Sequence, residues 1–241
     1  MPVVIVTGAG RGIGKALAIG FSRAGFDVVA AGRNLKDLEE TTKRLKGKHL
    51  IKKCDISKWG DCENLVKETV KKFGKIDILI NNASGWVDKD LLNSSKEEIE
   101  ELLDTTIKGT AFLTKLCLQQ MTKQKSGHIF SILTSSYRHG INRSTSGKVL
   151  TPYYTAKFGA SGMIEALKKE AIKYGVKVTS VYLGSIASDL DIDDSEQKLL
   201  KTHGSERVHV KSVADSIIFI ANQPKNTIIE EIIISPPGDF S

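Results

Sequence analysis

The chain has 241 residues, 40% of them hydrophobic and 26% charged. That is ordinary globular composition, which excludes a disordered tail, a collagen-like fibre and a disulfide scaffold. Net charge is +7, from 35 basic and 28 acidic residues. The lysines are scattered singly or in pairs, so a solvated cationic surface is a simpler reading than a nucleic-acid face.

No apolar run reaches the roughly eighteen residues of a bilayer span, and no membrane association is expected. Met1 to Val6 lacks the basic start and small-residue cleavage site of a signal peptide. Cys54, Cys62 and Cys117 have no C-x-x-C spacing. Unpaired thiols suit a reducing compartment, so a cytoplasmic location is expected.

Short β-branched runs alternate with helical patterns along the chain. Residues 3–7, 27–31, 49–54, 76–81, 128–133, 177–182 and 228–235 read as strands. Several are apolar throughout, which implies burial on both faces, as in a parallel sheet. Between them, Ile13, Ala16, Leu17, Gly20, Phe21 and Ala24 share one helical face. Residues 35–45, 59–73, 96–121, 153–174 and 212–222 read as further helices, and Ser95 with Glu98 forms a capping box for the fourth. This alternation predicts one α/β domain over residues 1–241, a doubly wound parallel sheet. The polar stretch 184–209 breaks the rhythm and reads as a small lid insert or as a surface excursion without a role.

The first strand runs into Thr7-Gly8-Ala9-Gly10-Arg11-Gly12-Ile13-Gly14, within which a helix opens. A glycine turn at a helix N-terminus turns backbone N–H groups and the helix dipole toward a pyrophosphate. Gly8, Arg11, Gly12, Ile13 and Gly14 are the expected contacts. A P-loop is disfavoured, because Ala16 stands where a magnesium-binding hydroxyl would follow Lys15. The second strand ends in Ala30-Ala31-Gly32-Arg33-Asn34. It offers no carboxylate for ribose hydroxyls and one guanidinium for a 2′-phosphate. NADP is therefore expected over NAD, with Arg33 and Arg11 supplying the charge; the plainer reading of Arg33 is a solvated helix-start residue.

Tyr153 and Lys157 are four apart on one face of a helix expected to begin after Pro152. A free phenol titrates near 10, and a nearby ammonium would stabilise its anion. The pair alone is common by chance and gains weight only beside the glycine turn.

Together these residues resemble the short-chain dehydrogenase/reductase family along essentially the whole chain. T-G-x-x-x-G-I-G matches Thr7 to Gly14. Cys54-Asp55-Ile56 is similar to the family's adenine-contacting segment, Asn81-Asn82-Ala83 to its N-N-A-G segment, and Tyr153 with Lys157 to Y-x-x-x-K. The resemblance implies a Rossmann fold with strand order 3-2-1-4-5-6-7, and hydride transfer between nicotinamide and a carbonyl or alcohol carbon. It implies Tyr153 as proton donor or acceptor, and Lys157 on the cofactor ribose. Asp55, Ile56 and Asn82 become further cofactor contacts. It also implies a homo-oligomer, dimer or tetramer. No metal site is expected, because the histidines show no ligand spacing.

The chain departs from that pattern. The glycine of N-N-A-G is displaced by one, to Gly85 after Ser84. Thr106 stands at the family's catalytic Asn, and Leu183-Gly184 at its P-G. The catalytic Ser position falls on Thr134, with Ser135 next, and either hydroxyl suits a carbonyl oxygen. The stretch before Tyr153 is long and basic (Arg138, His139, Arg143, Lys148), which suggests an anionic group on the substrate. His139 more simply serves structure. Trp86 fits either an aromatic substrate wall or a core.

The expected function is NADP(H)-dependent reduction of a ketone or aldehyde, or oxidation of the alcohol. The main alternative is a non-catalytic NADP(H)-binding sensor or scaffold. A nucleotide-sugar enzyme is disfavoured by the short length.

Overall fold

A computed structural model describes residues 1–141 and 147–237; Arg143 lies outside the described residues. The strands are β1 (Val3–Thr7), β2 (Asp27–Gly32), β3 (His49–Lys53), β4 (Ile78–Asn81), β5 (Gly127–Thr134), β6 (Val176–Leu183), β7 (Ile186–Ala187), β8 (Val208–His209) and β9 (Glu231–Ile234). The helices are α1 (Gly12–Arg23), α2 (Leu35–Thr42), α3 (Trp59–Phe73), α4 (Lys96–Leu103), α5 (Thr110–Gln124), α6 (Ser136–His139), α7 (Thr151–Ala171), α8 (Glu196–His203) and α9 (Val210–Ala221). No described helix is long and apolar enough to cross a membrane.

Seven strands form one parallel sheet in the order β3-β2-β1-β4-β5-β6-β9. This is the expected 3-2-1-4-5-6-7 topology, with β9 in the seventh place. The apolar runs are explained by burial on both faces. Alternate residues of one strand point to opposite sides. Val4, Val6, Val28 and Ala30 pack with Leu17, Phe21, Val213 and Ile217 of α1 and α9 on one face. Val3, Ile5, Val29 and Ala31 pack with Leu65, Leu113, Cys117 and Ile164 of α3, α5 and α7 on the other. Each such side chain contributes about 1.5–3 kcal/mol on burial, so a one-residue register slip would exchange whole sets between faces. All three cysteines are free and buried.

Local chemistry sets the element ends. Asn34 caps α2, its side chain accepting from the Lys36 N–H at 3.0 Å. Ser95 and Glu98 form the expected capping box of α4. Pro152 sits in the first turn of α7, where its missing N–H costs nothing. Three strand expectations ran long, since Cys54, residues 76–77, and residues 228–230 with Ser235 lie outside β3, β4 and β9.

The expected helix 96–121 is interrupted by a π turn, Asp104–Gly109, between α4 and α5. Hydrophobic periodicity does not locate it, because its buried residues are Thr105, Thr106 and Gly109, which give no strong apolar signal. The stretch 184–209 is not an irregular loop. It holds α8, capped by Ser195, and the β7–β8 parallel pair. Its Ser and Asp content, read as loop, supplies the cap.

Candidate active site

The glycine turn and the β4 turn are stapled together at the carboxyl ends of β1 and β4. The Thr7 hydroxyl accepts from the N–H groups of Asn82 and Ala83, both at 3.0 Å, and donates to the Ile80 carbonyl at 3.1 Å. Asn82 Nδ2 donates to the Thr7 carbonyl at 2.7 Å. The Asn82 side chain therefore serves as a clasp between the turns, a role distinct from the cofactor contact expected of it. Thr7 was absent from the expected set, although it leads the glycine motif.

Gly14 is the position where only glycine fits. A Cβ there would lie 2.1 Å from the Gly8 carbonyl oxygen and 2.5 Å from Asn82 Nδ2. This close approach lets α1 begin directly beneath the turn, with its free N–H groups facing the crevice. Across the turn lies Ser188, whose carbonyl oxygen is 3.4 Å from where a Gly12 Cβ would sit. Gly10, Arg11, Gly12, Lys15 and residues 188–192 line a cavity of about 300 Å³.

The stretch read as a lid is anchored at this point. Arg44 donates to both Asp191 oxygens, at 2.5 and 2.8 Å, and to Asp193 at 2.6 Å. Arg23 grips Asp193 with two bonds of 2.6 and 2.7 Å. Lys15 lies 3.4 Å from Asp191. The Arg44 bond holds the Asp191 carboxyl far below the usual carboxylate range, and the Arg23 bond does the same for Asp193. Networked pairs of this kind hold better than isolated surface pairs.

Arg33 is exposed beside α2 and paired with Glu101 at 2.5 Å. Asp55 lies beyond β3. Burial alone would raise its carboxyl, but two bonds from Ser57, together with Lys58 and Arg33, keep it low. Ile56 is buried.

Tyr153 and Lys157 project from α7 toward the end of β5. Lys157 is buried, and its Nζ donates to the Ile132 carbonyl at 3.0 Å. Burial pulls its pKa down to about 8. Burial pushes Tyr153 up to about 12, against a side-chain hydrogen bond with Thr134 that lowers it. Of the two candidate hydroxyls, Thr134 is the one engaged with the phenol. Ser135 starts α6, its carbonyl accepting from the N–H groups of Arg138 at 2.8 Å and His139 at 3.0 Å. The Trp86 indole and the Tyr153 ring meet edge to face, ring centroids 4.8 Å apart at 64°. Trp86 is 63% exposed, so the core reading of it is wrong.

Thr106 lies on the π turn. Its hydroxyl is 3.0 Å from that of Ser84 and accepts from the Gly85 N–H at 3.4 Å. Arg138 is not available to a substrate anion. Its guanidinium lies 2.6 Å from Glu231 and 3.6 Å from Glu165, against the rings of Tyr137 and Tyr182.

These residues fit a pyridine dinucleotide. Gly14 packs the start of α1 against the Gly8 carbonyl, and the cavity beside Gly10, Arg11 and Gly12 opens at that helix start. A buried ammonium carries three donors, of which one is used on Ile132. Gly8, Arg11, Gly12, Ile13 and Gly14 would take the diphosphate, and Lys157 the ribose at the ring end.

A glycine cradle at the reversal point of strand order defines a Rossmann-type dinucleotide-binding protein. The family model described as short chain dehydrogenase matches residues 2–199. The chain belongs to that family of oxidoreductases, the short-chain dehydrogenases/reductases. It is 31% identical to a sepiapterin reductase of Chlorobaculum tepidum, across 99% of this chain and 98% of that one. It is also 31% identical to an uncharacterized oxidoreductase of Staphylococcus saprophyticus, across 97% of each. Among solved structures it is similar to a metagenomic short-chain oxidoreductase in complex with NADP, at TM-score 0.81 and 24% identity, covering 98% of this chain and 97% of that one. An alcohol dehydrogenase of Thermococcus sibiricus complexed with 5-hydroxy-NADP matches at TM-score 0.83 and 20% identity, covering 100% and 98%. At those identities the two structures speak for the fold alone.

Proposed function

We propose that the chain is an NADP(H)-dependent carbonyl reductase, with Tyr153 as general acid. The observation that carries this is the Tyr153 phenol, one helical turn from a buried Lys157 and with the Thr134 side chain acting to lower its pKa. When bound, a nicotinamide dinucleotide supplies the hydride. Tyr153 gives its proton to the carbonyl oxygen as the carbon becomes an alcohol carbon. Thr134 donates a hydrogen bond to the same oxygen, where negative charge develops. Lys157 places positive charge beside the phenol and eases its ionisation. A phenol held near 12 is fully protonated at neutral pH. That is the state from which Tyr153 gives its proton in reduction. The reductase name carried by the Chlorobaculum relative supports reduction as the working direction.

Arg33 and Arg11 support NADP over NAD, since no carboxylate ends β2. Asp55 and Ile56 would contact the adenine, and Ser135 is the second candidate hydroxyl for the carbonyl oxygen.

The test is Tyr153→Phe. Against a panel of ketones and aldehydes with NADPH, turnover should fall about 10²- to 10⁴-fold, with NADPH affinity kept. Wild-type protein that binds NADPH and reduces nothing on the panel would instead establish the sensor reading.

A further inference from the structure

We infer that Trp86 is one wall of a slot for a planar aromatic carbonyl compound, and that Thr106 is the positioning residue that holds the wall. This rests on the reduction proposed above.

A tryptophan 63% exposed on a folded surface is ordinary taken singly. This one touches the ring of the proton donor, 4.8 Å away. The two rings meet edge to face, and the exposure of Trp86 leaves indole surface open beside Tyr153. Aromatic faces favour offset-stacked or edge-to-face partners over saturated rings. A flat ring whose carbonyl sits at Tyr153 and Thr134 would lie along that surface.

The turn that carries Trp86 is fixed from below. A Cβ on Gly85 would meet Leu102 Cδ1 at 2.9 Å and Leu102 Cα at 3.1 Å, so the turn lies directly on α4. The buried Thr106 hydroxyl pairs with the Ser84 hydroxyl and takes the Gly85 N–H. It thus holds both residues that precede Trp86. Two departures from the family pattern, the extra residue Ser84 and Thr at position 106, become one arrangement. The added residue Ser84 lies in the turn that brings Trp86 against Tyr153, and the hydroxyl on the π turn secures it.

The experiment compares isatin, a planar bicyclic ketone, with cyclohexanone, using NADPH. The kcat/KM ratio of isatin to cyclohexanone should fall about tenfold in Trp86→Ala, as expected for one lost aromatic pair, and less in Trp86→Phe. Thr106→Val should lower the ratio about threefold through the KM for isatin, and Thr106→Ser should restore it. A merely structural Thr106 would shift both ketones alike together with Tm. A Trp86→Ala ratio within twofold of wild type overturns the inference. If wild type reduces neither ketone, the proposed reaction fails, and the wall is judged by calorimetry of isatin on the NADPH-bound protein. A tenfold weaker isatin Kd in Trp86→Ala then supports the wall. Equal affinities, or no binding to wild type, overturn it.

Discussion

Lys157 buries its ammonium against the Ile132 carbonyl, 3.0 Å away, and one hydrogen bond does not repay the water it gave up. This is why its pKa falls to about 8. A lysine in the unfolded chain titrates near 10.4. Between roughly pH 8 and 10.4 the unfolded state therefore holds more protons, and stability from this group rises with pH across that window. Below the window the cost is present in full, of order 3 kcal/mol. Lys157→Met should raise Tm at pH 7 by roughly 5 °C or more, and the advantage should fade as pH passes 8 toward 10.4. Ketone reduction should fall at least about 10²-fold. Thermal melts across pH 6 to 10 decide the matter; a variant less stable than wild type at pH 7 contradicts the argument.

Thr134 and Ser135 are adjacent hydroxyls with different surroundings. The Thr134 side chain acts on the phenol and lowers its pKa, whereas Ser135 stands at the N-cap of α6. Thr134→Val keeps the shape and removes the donor, so kcat should fall about 10²-fold. Loss of the bond that stabilises phenolate also raises the Tyr153 pKa, and the alkaline limb of the reduction profile should move to higher pH. Ser135→Ala should cost several-fold less. Equal losses from both variants would return the polarising role to the pair.

The Arg33 guanidinium is engaged by Glu101 at 2.5 Å, on an exposed face. A 2′-phosphate would have to compete with that carboxylate. Glu101→Gln should therefore tighten NADPH severalfold at low salt and leave NADH unmoved. Arg33→Ala should weaken NADPH about tenfold or more, the worth of one charge-assisted contact. Calorimetric titration with both coenzymes reads the result. Parallel changes for NADH would detach Arg33 from phosphate recognition.

Much of this was legible before any coordinates. Val3 to Val6 is apolar at every position, and only a strand buried on both faces explains that. The glycine turn, the Tyr153–Lys157 spacing and the Ser95–Glu98 cap each rest on contacts within a few residues, so their chemistry is written in local order. The π turn at 104–109 was not legible, since the residues it buries, Thr105, Thr106 and Gly109, carry no strong apolar signal. Nor was the role of Arg138. Its charge suggested a substrate anion, while Glu231 and Glu165, distant in sequence, claim it for structure.

By itself the sequence determined the alternation of strands and helices and the residue types at the site, which follow from periodicity, short-range steric limits and motif spacing. The strand order was implied by the resemblance to the family that those motifs carry. Tertiary structure decided which hydroxyl meets the phenol, that Asn82 clasps Thr7, that Asp191 and Asp193 anchor the 184–209 stretch, and that Trp86 faces solvent beside Tyr153. Each of these joins groups far apart in the chain. Such contacts depend on how sheet, turns and helices come together in space, which no window of neighbouring residues encodes.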